Sequence, residues 1–158
     1  MKLIRSLKIT IVSMLVLFLT VTSNAQEVGI RLGNNWGNHA AIDAVFSAGQ
    51  FSRIHADLSF GGGVSAEALW NFIYKPIGTE GFQWYAGVGA SIFIGASTKN
   101  DNSSNFSLGV PGEIGIEYRF KKAPLALAMD WRPVFVLLQN TTFSAGEFGL
   151  NFRYCFGK

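Results

Sequence analysis

Several features common in exported or catalytic domains are scarce in this sequence. It has a single cysteine, Cys155, which excludes an intrachain disulfide. It has two histidines, His39 and His55, and neither stands at zinc-ligand spacing from other ligating residues. After residue 25, no apolar run approaches the ~20 residues that a transmembrane helix requires. The sequence therefore predicts neither a disulfide scaffold, nor a metal centre, nor a helical membrane domain.

The first 25 residues have the three-part pattern of a secretory signal peptide. A basic leader precedes a short apolar run over residues 9–21, and small residues follow up to Ala25. The run is too short to span a membrane, so we expect cleavage after Ala25 rather than anchoring. Residues 26–158 then form one domain, as their length indicates.

The basic character of the sequence belongs to this leader. The chain has 13 Lys and Arg and 10 Asp and Glu. Three of the basic residues lie in the leader, and they are Lys2, Arg5 and Lys8. All acidic residues follow it, so the mature chain carries no net charge. We therefore expect no nucleic-acid binding, which requires a basic surface.

Apolar and polar residues alternate through most of the mature chain, which is the pattern of two-faced strands. Eight segments show it, and they are 28–33, 40–46, 51–60, 64–74, 83–94, 106–120, 125–138 and 147–156. The alternation weakens in 133–138. The connections are too short for parallel crossovers. The sequence therefore predicts an all-β, eight-stranded, antiparallel up-and-down barrel, closed by pairing the last strand with the first.

The two faces of these strands differ in a way that predicts an inverted barrel. One face carries large aromatic residues, including Trp70, Trp131 and Phe152, which would overfill a narrow lumen. The other face is rich in Gly, Ala and Ser and carries charges of both signs. A membrane barrel has an apolar exterior and a polar interior, whereas a soluble barrel has the reverse. We therefore predict a transmembrane barrel of the outer membrane.

The charges on the small-residue face are predicted to form an interior polar network. Its basic members are all Arg, which suits buried bidentate pairing with carboxylates, whereas Lys occurs in loops and at the terminus. The predicted members are Arg31, Asp43, Arg53, His55, Asp57, Glu67, Glu113, Glu117, Arg119, Asp130, Arg132, Glu147 and Arg153. Such groups are costly to bury unpaired, so we expect a connected network.

Aromatic residues gather at one end of the predicted strands, where both termini lie. We predict that they mark a membrane interface on the periplasmic side. They are Tyr74, Trp84, Tyr118, Phe120, Tyr154 and Phe156. Connections 47–50, 75–82 and 121–124 would share that side, and connections 34–38, 61–63, 96–105 and 139–144 would face outward.

No catalytic or cofactor motif is predicted. His55 lies two residues from both Arg53 and Asp57, so it could serve a lipid-acting enzyme or be one more member of the polar network. We interpret it as a network member, because spacing alone defines no catalytic triad. Glu113 and Glu117 resemble paired acid-base carboxylates, but with Arg119 nearby we expect ion pairing. We predict no enzyme activity, no cofactor and no metal.

Four segments resemble the small outer-membrane β-barrel proteins of Bacteroidota, often labelled porin-family proteins and similar to the OmpA and OmpX barrels. These segments are 29–33, 113–118, 130–133 and 149–158. The resemblance covers the mature chain and implies a Gram-negative outer-membrane location. It also implies that the barrel-assembly machinery reads the last strand, in which Phe156 is followed by Gly157 and Lys158.

An eight-stranded interior is just wide enough to be filled by its own side chains. We therefore expect a structural or interaction protein of the outer membrane, monomeric, surrounded by lipid and conducting few or no ions. A narrow channel for small solutes is the main alternative. A lipid-acting enzyme and a soluble lipocalin-like binder are the remaining ones.

Overall fold

The computed structural model of the chain is all-β. It describes residues 27–78, 80–95, 106–138 and 141–157. Within these ranges, no helix is long and apolar enough to span a bilayer. The predicted signal peptide at 1–25 and the predicted loop at 96–105 lie outside the described residues.

Ten β-segments within the described ranges make up an eight-stranded barrel, as predicted. They are β1 (Glu27–Asn35), β2 (Asn38–Gly49), β3 (Ser52–Phe60), β4 (Gly63–Pro76), β5 (Phe82–Gly95), β6 (Phe106–Arg119), β7 (Leu125–Trp131), β8 (Val134–Val136), β9 (Thr142–Ser144) and β10 (Phe148–Cys155). Segments β7 and β8 are two parts of one strand, because both pair with β6. Segments β9 and β10 likewise form the last strand, with β9 pairing β8 and β10 pairing β7.

The barrel is closed and antiparallel throughout. Each strand pairs with its neighbours in sequence, and β10 pairs with β1 through Phe152 opposite Ile30. Closure leaves neither the first nor the last strand with a free edge along this seam. We call the end that carries Glu27 and Cys155 the termini end, and the end that carries the turn at residues 36–37 the loop end.

The faces of the barrel wall are inverted relative to a soluble domain. Large apolar side chains point outward, with Trp70 56%, Trp131 36% and Phe152 48% exposed. Charged and polar side chains point inward and are buried. The weakened alternation over 133–138 is one of polarity only at 134–136, since Val134 and Val136 point inward and Phe135 outward. Apolar residues on both faces conceal the period there.

A β-bulge in β4 reverses the facing of its last residues. Trp70 pairs with Val88, but the next pair along the ladder is Ile73 with Ala86, so β4 has one extra residue there. An extra residue shifts the two-residue period by one position. As a result Tyr74 points inward, and its hydroxyl donates to Oε1 of Glu117 at 2.8 Å. The prediction that Tyr74 lies on the aromatic outer rim is wrong.

The closing seam requires a glycine on β1. A Cβ at Gly29 would collide with the backbone carbonyl oxygen of Phe152 on β10. We therefore expect Gly29→Ala to lower the free energy of unfolding by about 1–3 kcal/mol, as overpacking typically does. Guanidinium titration of the refolded protein measures this change.

Gly62→Ala is the matched control, because a Cβ at Gly62 meets no atom within 4 Å. Equal stability of the Gly29 and Gly62 variants would contradict the close approach of β1 and β10.

Candidate functional site

Arg132 is the centre of the interior charge network. It lies between β7 and β8, where Pro133 cannot donate a ladder hydrogen bond and the strand is interrupted. Its guanidinium contacts Asp57, Glu67 at 3.1 Å and Glu113 at 2.8 Å. Arg132 is 1% exposed. A single cation thus compensates carboxylates from three strands, β3, β4 and β6.

Arg153 on β10 forms a second centre nearer the termini end. Its Nε donates to Oδ2 of Asp43 at 2.5 Å, and its Nη1 donates to Oε2 of Glu117 at 2.7 Å. These acids stand on β2 and β6, so the contacts cross the lumen. They join opposite walls of the barrel through the interior.

Arg31 holds the seam side of the network. Its Nη2 donates to Oδ1 of Asp130 at 2.7 Å, and Asn151 donates to Oδ2 of the same carboxylate at 2.6 Å. A Cβ at Gly149 would collide with the Arg31 guanidinium. The absence of a side chain at Gly149 thus leaves room for the guanidinium of this buried pair.

Arg53 is held between two tyrosines. Its guanidinium carbon lies 4.3 Å from the ring centroids of both Tyr74 and Tyr85, a distance suited to cation–π attraction. Its Nη1 donates to Oε2 of Glu117 at 2.8 Å. Glu117 also accepts from Arg119 at 2.9 Å, so one buried carboxylate contacts several cations.

Arg119 is the one predicted network residue that is half-exposed, because it lies at the termini end of the lumen. Its guanidinium pairs with Glu27 and Glu117. Glu27 is 1% exposed and points inward. The prediction omitted Glu27 because the alternation was read from Val28. Glu27 nonetheless continues the inward series of Gly29 and Arg31.

His55 lies at the middle of the network. Its Nε2 is 2.7 Å from Oδ1 of Asp43, and its Nδ1 is 2.9 Å from Oε1 of Glu113. Nη2 of Arg132 and Nη2 of Arg153 each lie 3.0 Å from Nε2. Both ring nitrogens are thus engaged by charged groups, and no hydroxyl or thiol appears among these contacts. This arrangement positions His55 as a bridge between acids.

Asp43, His55 and Asp57 could each offer one ligand atom to a metal, since these atoms lie within 4.8 Å of one another. Asp43 already accepts from Arg153, and Asp57 contacts Arg132. Each of the two aspartates is therefore already paired with a guanidinium group. Within the described chain, this chemistry favours ion pairing over metal binding.

The loop end contains a second constellation that sequence reasoning missed. Trp36 was predicted as part of a turn, yet its indole Nε1 donates to Oε1 of Glu67 at 3.2 Å. Its ring stacks on Phe93, with centroids 5.9 Å apart and an interplanar angle of 5°. Phe93 pairs with inward-facing Ser65, so the indole lies in the mouth of the lumen. An aromatic residue at a tight hairpin position is the signal that could have indicated this.

The structure buries twelve of the thirteen predicted network residues, and Arg119 is the half-exposed one. The buried residues are Arg31, Asp43, Arg53, His55, Asp57, Glu67, Glu113, Glu117, Asp130, Arg132, Glu147 and Arg153.

The predicted rim aromatics include two pairs whose rings are in contact near the termini end. Tyr118 contacts Phe120 and Tyr154 contacts Phe156, with ring centroids 5.0 and 4.9 Å apart. Trp84 pairs with outward-facing Ile116.

The sequence matches no protein-family model and no curated protein.

Removal of the central cation provides a direct test of this network. We expect Arg132→Met to lower the free energy of unfolding by about 3–5 kcal/mol, because the buried carboxylates of Asp57, Glu67 and Glu113 lose their shared partner. Guanidinium titration measures the loss.

The control is Lys121→Met, which removes the exposed pair of Lys121 with Glu80. A surface ion pair contributes about 0–1 kcal/mol. A loss for the Arg132 variant as small as that for the Lys121 variant would contradict a buried, interdependent network.

Proposed function

We propose that the chain is an integral outer-membrane β-barrel whose lumen is sealed by its own side chains, and that it acts as a structural or interaction protein of that membrane. The observation that carries the proposal is the inverted wall. Apolar side chains cover the outside, and ion pairs fill the inside. Its resemblance to small Bacteroidota barrels accords with this role.

The outer surface supports a lipid surrounding. Exposed Ile, Leu, Val, Phe and Trp side chains occur on every strand of the wall. Contiguous apolar patches beyond a few hundred Å² are rare on soluble monomers. In a bilayer, exposure of this surface is favourable because lipid tails are themselves apolar. Closure of the barrel also pairs the backbone hydrogen-bonding groups, which lipid cannot satisfy.

The interior supports a sealed lumen rather than a channel. Arg132 and Arg153 each bridge acids on different strands across the lumen. Tyr85 is also directed inward and is fully buried. To pass through the lumen, water and ions would have to displace several ion pairs. These pairs resist displacement because electrostatic contacts are stronger in a medium of low dielectric constant.

The aromatic rim supports an orientation with the termini end in the periplasm. Phe82 and Tyr118 lie 4.8 Å apart between ring centroids at this end. Tyr154 and Phe156 form another contact there. Aromatic girdles lie at the headgroup level of membrane barrels, so this rim would mark one boundary of the bilayer.

Two measurements test the proposal together. The expressed protein should remain with the outer-membrane fraction after carbonate washing and should migrate differently on gels before and after boiling. Reconstituted into planar bilayers, it should show no discrete openings. Release into the wash would exclude membrane integration, and regular single-channel steps would favour the channel alternative.

A charged side chain placed on the outer wall tests how deeply that position lies in the bilayer. We expect Phe152→Arg to reduce the free energy of insertion and folding into vesicles by about 2–4 kcal/mol, as for Arg near the bilayer midplane. Phe156→Arg, at the rim, should cost about 0–1 kcal/mol. Denaturant titration in lipid vesicles compares the two, and equal costs would contradict the proposed depth of Phe152.

A further inference from the structure

Trp36 has a backbone conformation that its side chain disfavours. It is the one non-glycine residue with positive φ among the described residues, at 50°, and Gly37 follows at 80°. Two consecutive positive φ values are the pattern of a type I′ hairpin turn, in which Asn, Asp or Gly is preferred. A residue other than Gly is strained in this region and keeps the conformation only where its surroundings hold it there.

The surroundings of the indole are shaped to hold it. Glu67 on β4 accepts a hydrogen bond from Nε1 of Trp36 at 3.2 Å. The ring of Phe93 on β5 lies parallel to the indole. On β6, a Cβ at Gly109 would stand 2.8 Å from Cζ2 of Trp36. The absence of a side chain at Gly109 thus leaves room for the far edge of the indole. The indole is thus surrounded by a hydrogen-bond acceptor on β4, an aromatic ring on β5 and the bare backbone of Gly109 on β6.

The same pocket has a polar group that Trp36 does not satisfy. Ser91 is 1% exposed, and its Oγ has no hydrogen-bond partner in the described part of the chain. That Oγ would stand 2.9 Å from a Cβ at Gly109, beside the edge of the indole. Buried polar groups are normally paired. A ligand with a polar substituent at this edge could therefore make one contact more than Trp36 makes.

We propose that the loop end of the barrel is a binding pocket for a planar aromatic molecule with an N–H donor, and that Trp36 occupies it as an internal ligand. The strained turn places the occupant, and Glu67 and Phe93 recognise it. An external indole-type molecule would compete with Trp36 for the same acceptor and stacking face. This site goes beyond the structural role proposed above.

Removal of the occupant tests the pocket. Trp36→Gly deletes the indole and relieves the positive-φ strain, so the barrel should still fold, as heat-modifiable migration on gels will show. We expect free indole to bind this variant with an apparent Kd at least tenfold lower than that of the parent. Isothermal titration calorimetry and the indole-dependent rise in Tm report the binding.

Trp70→Gly is the matched control, because it removes an outward-facing tryptophan that is 56% exposed and leaves no enclosed space. Binding of indole to detergent or to the outer surface would be the same in both variants. Equal indole affinity of the Trp36 and Trp70 variants would therefore overturn the proposal.

The donor requirement is tested with 1-methylindole, which keeps the aromatic ring system and lacks the N–H. We expect the Trp36→Gly variant to bind 1-methylindole at least fivefold more weakly than indole. The reason is that 1-methylindole has no N–H group to donate a hydrogen bond to Glu67. Equal binding would overturn the assignment of an N–H donor. Trp36→Asn, which also suits a positive φ, replaces Trp36→Gly if that variant does not refold.

Discussion

The closed fold of this barrel depends first on ion pairing inside its narrow lumen. Eight strands enclose a space that side chains can fill, and here the inward positions carry Arg, Asp and Glu. Each charge would be costly if left unpaired. Arg132 and Arg153 reduce that cost by bridging acids on different strands. Barrel closure and the pairing of charges therefore depend on each other.

This arrangement separates two tasks between the faces of the wall. The inside provides specificity, since each guanidinium needs its acids at defined positions around the barrel. The outside needs only to be apolar, and its exposed residues are mostly Ile, Leu, Val, Phe and Trp. Glycines such as Gly149 leave space for the inner contacts. The proposed membrane role follows from the outer face, and the proposed sealed lumen from the inner one.

Strand number, closure and facing could be predicted from the sequence, because a two-residue period is visible wherever the faces differ in polarity. The prediction was wrong at Tyr74, where a bulge shifts the period, and the period was hidden at 133–138, where both faces are apolar. The charged interior residues were identified except for Glu27. Of their pairings, the sequence predicted that of Glu117 with Arg119, which the structure confirms, whereas Glu113 pairs with Arg132 instead of Arg119. Spacing along a strand carries no information on which acid Arg132 meets across the lumen. Trp36 was missed because turn residues were read for backbone propensity alone.

We propose that one face of each strand meets lipid while the other meets the charge network. The most direct measurement is nuclear Overhauser spectroscopy of the labelled barrel in lipid nanodiscs. We predict contacts from acyl-chain methylene protons to Leu150 and Phe152, and none to Asn151 and Arg153, which lie between and beside them on β10. Acyl-chain contacts to Asn151 and Arg153, or none to Leu150 and Phe152, would contradict the account.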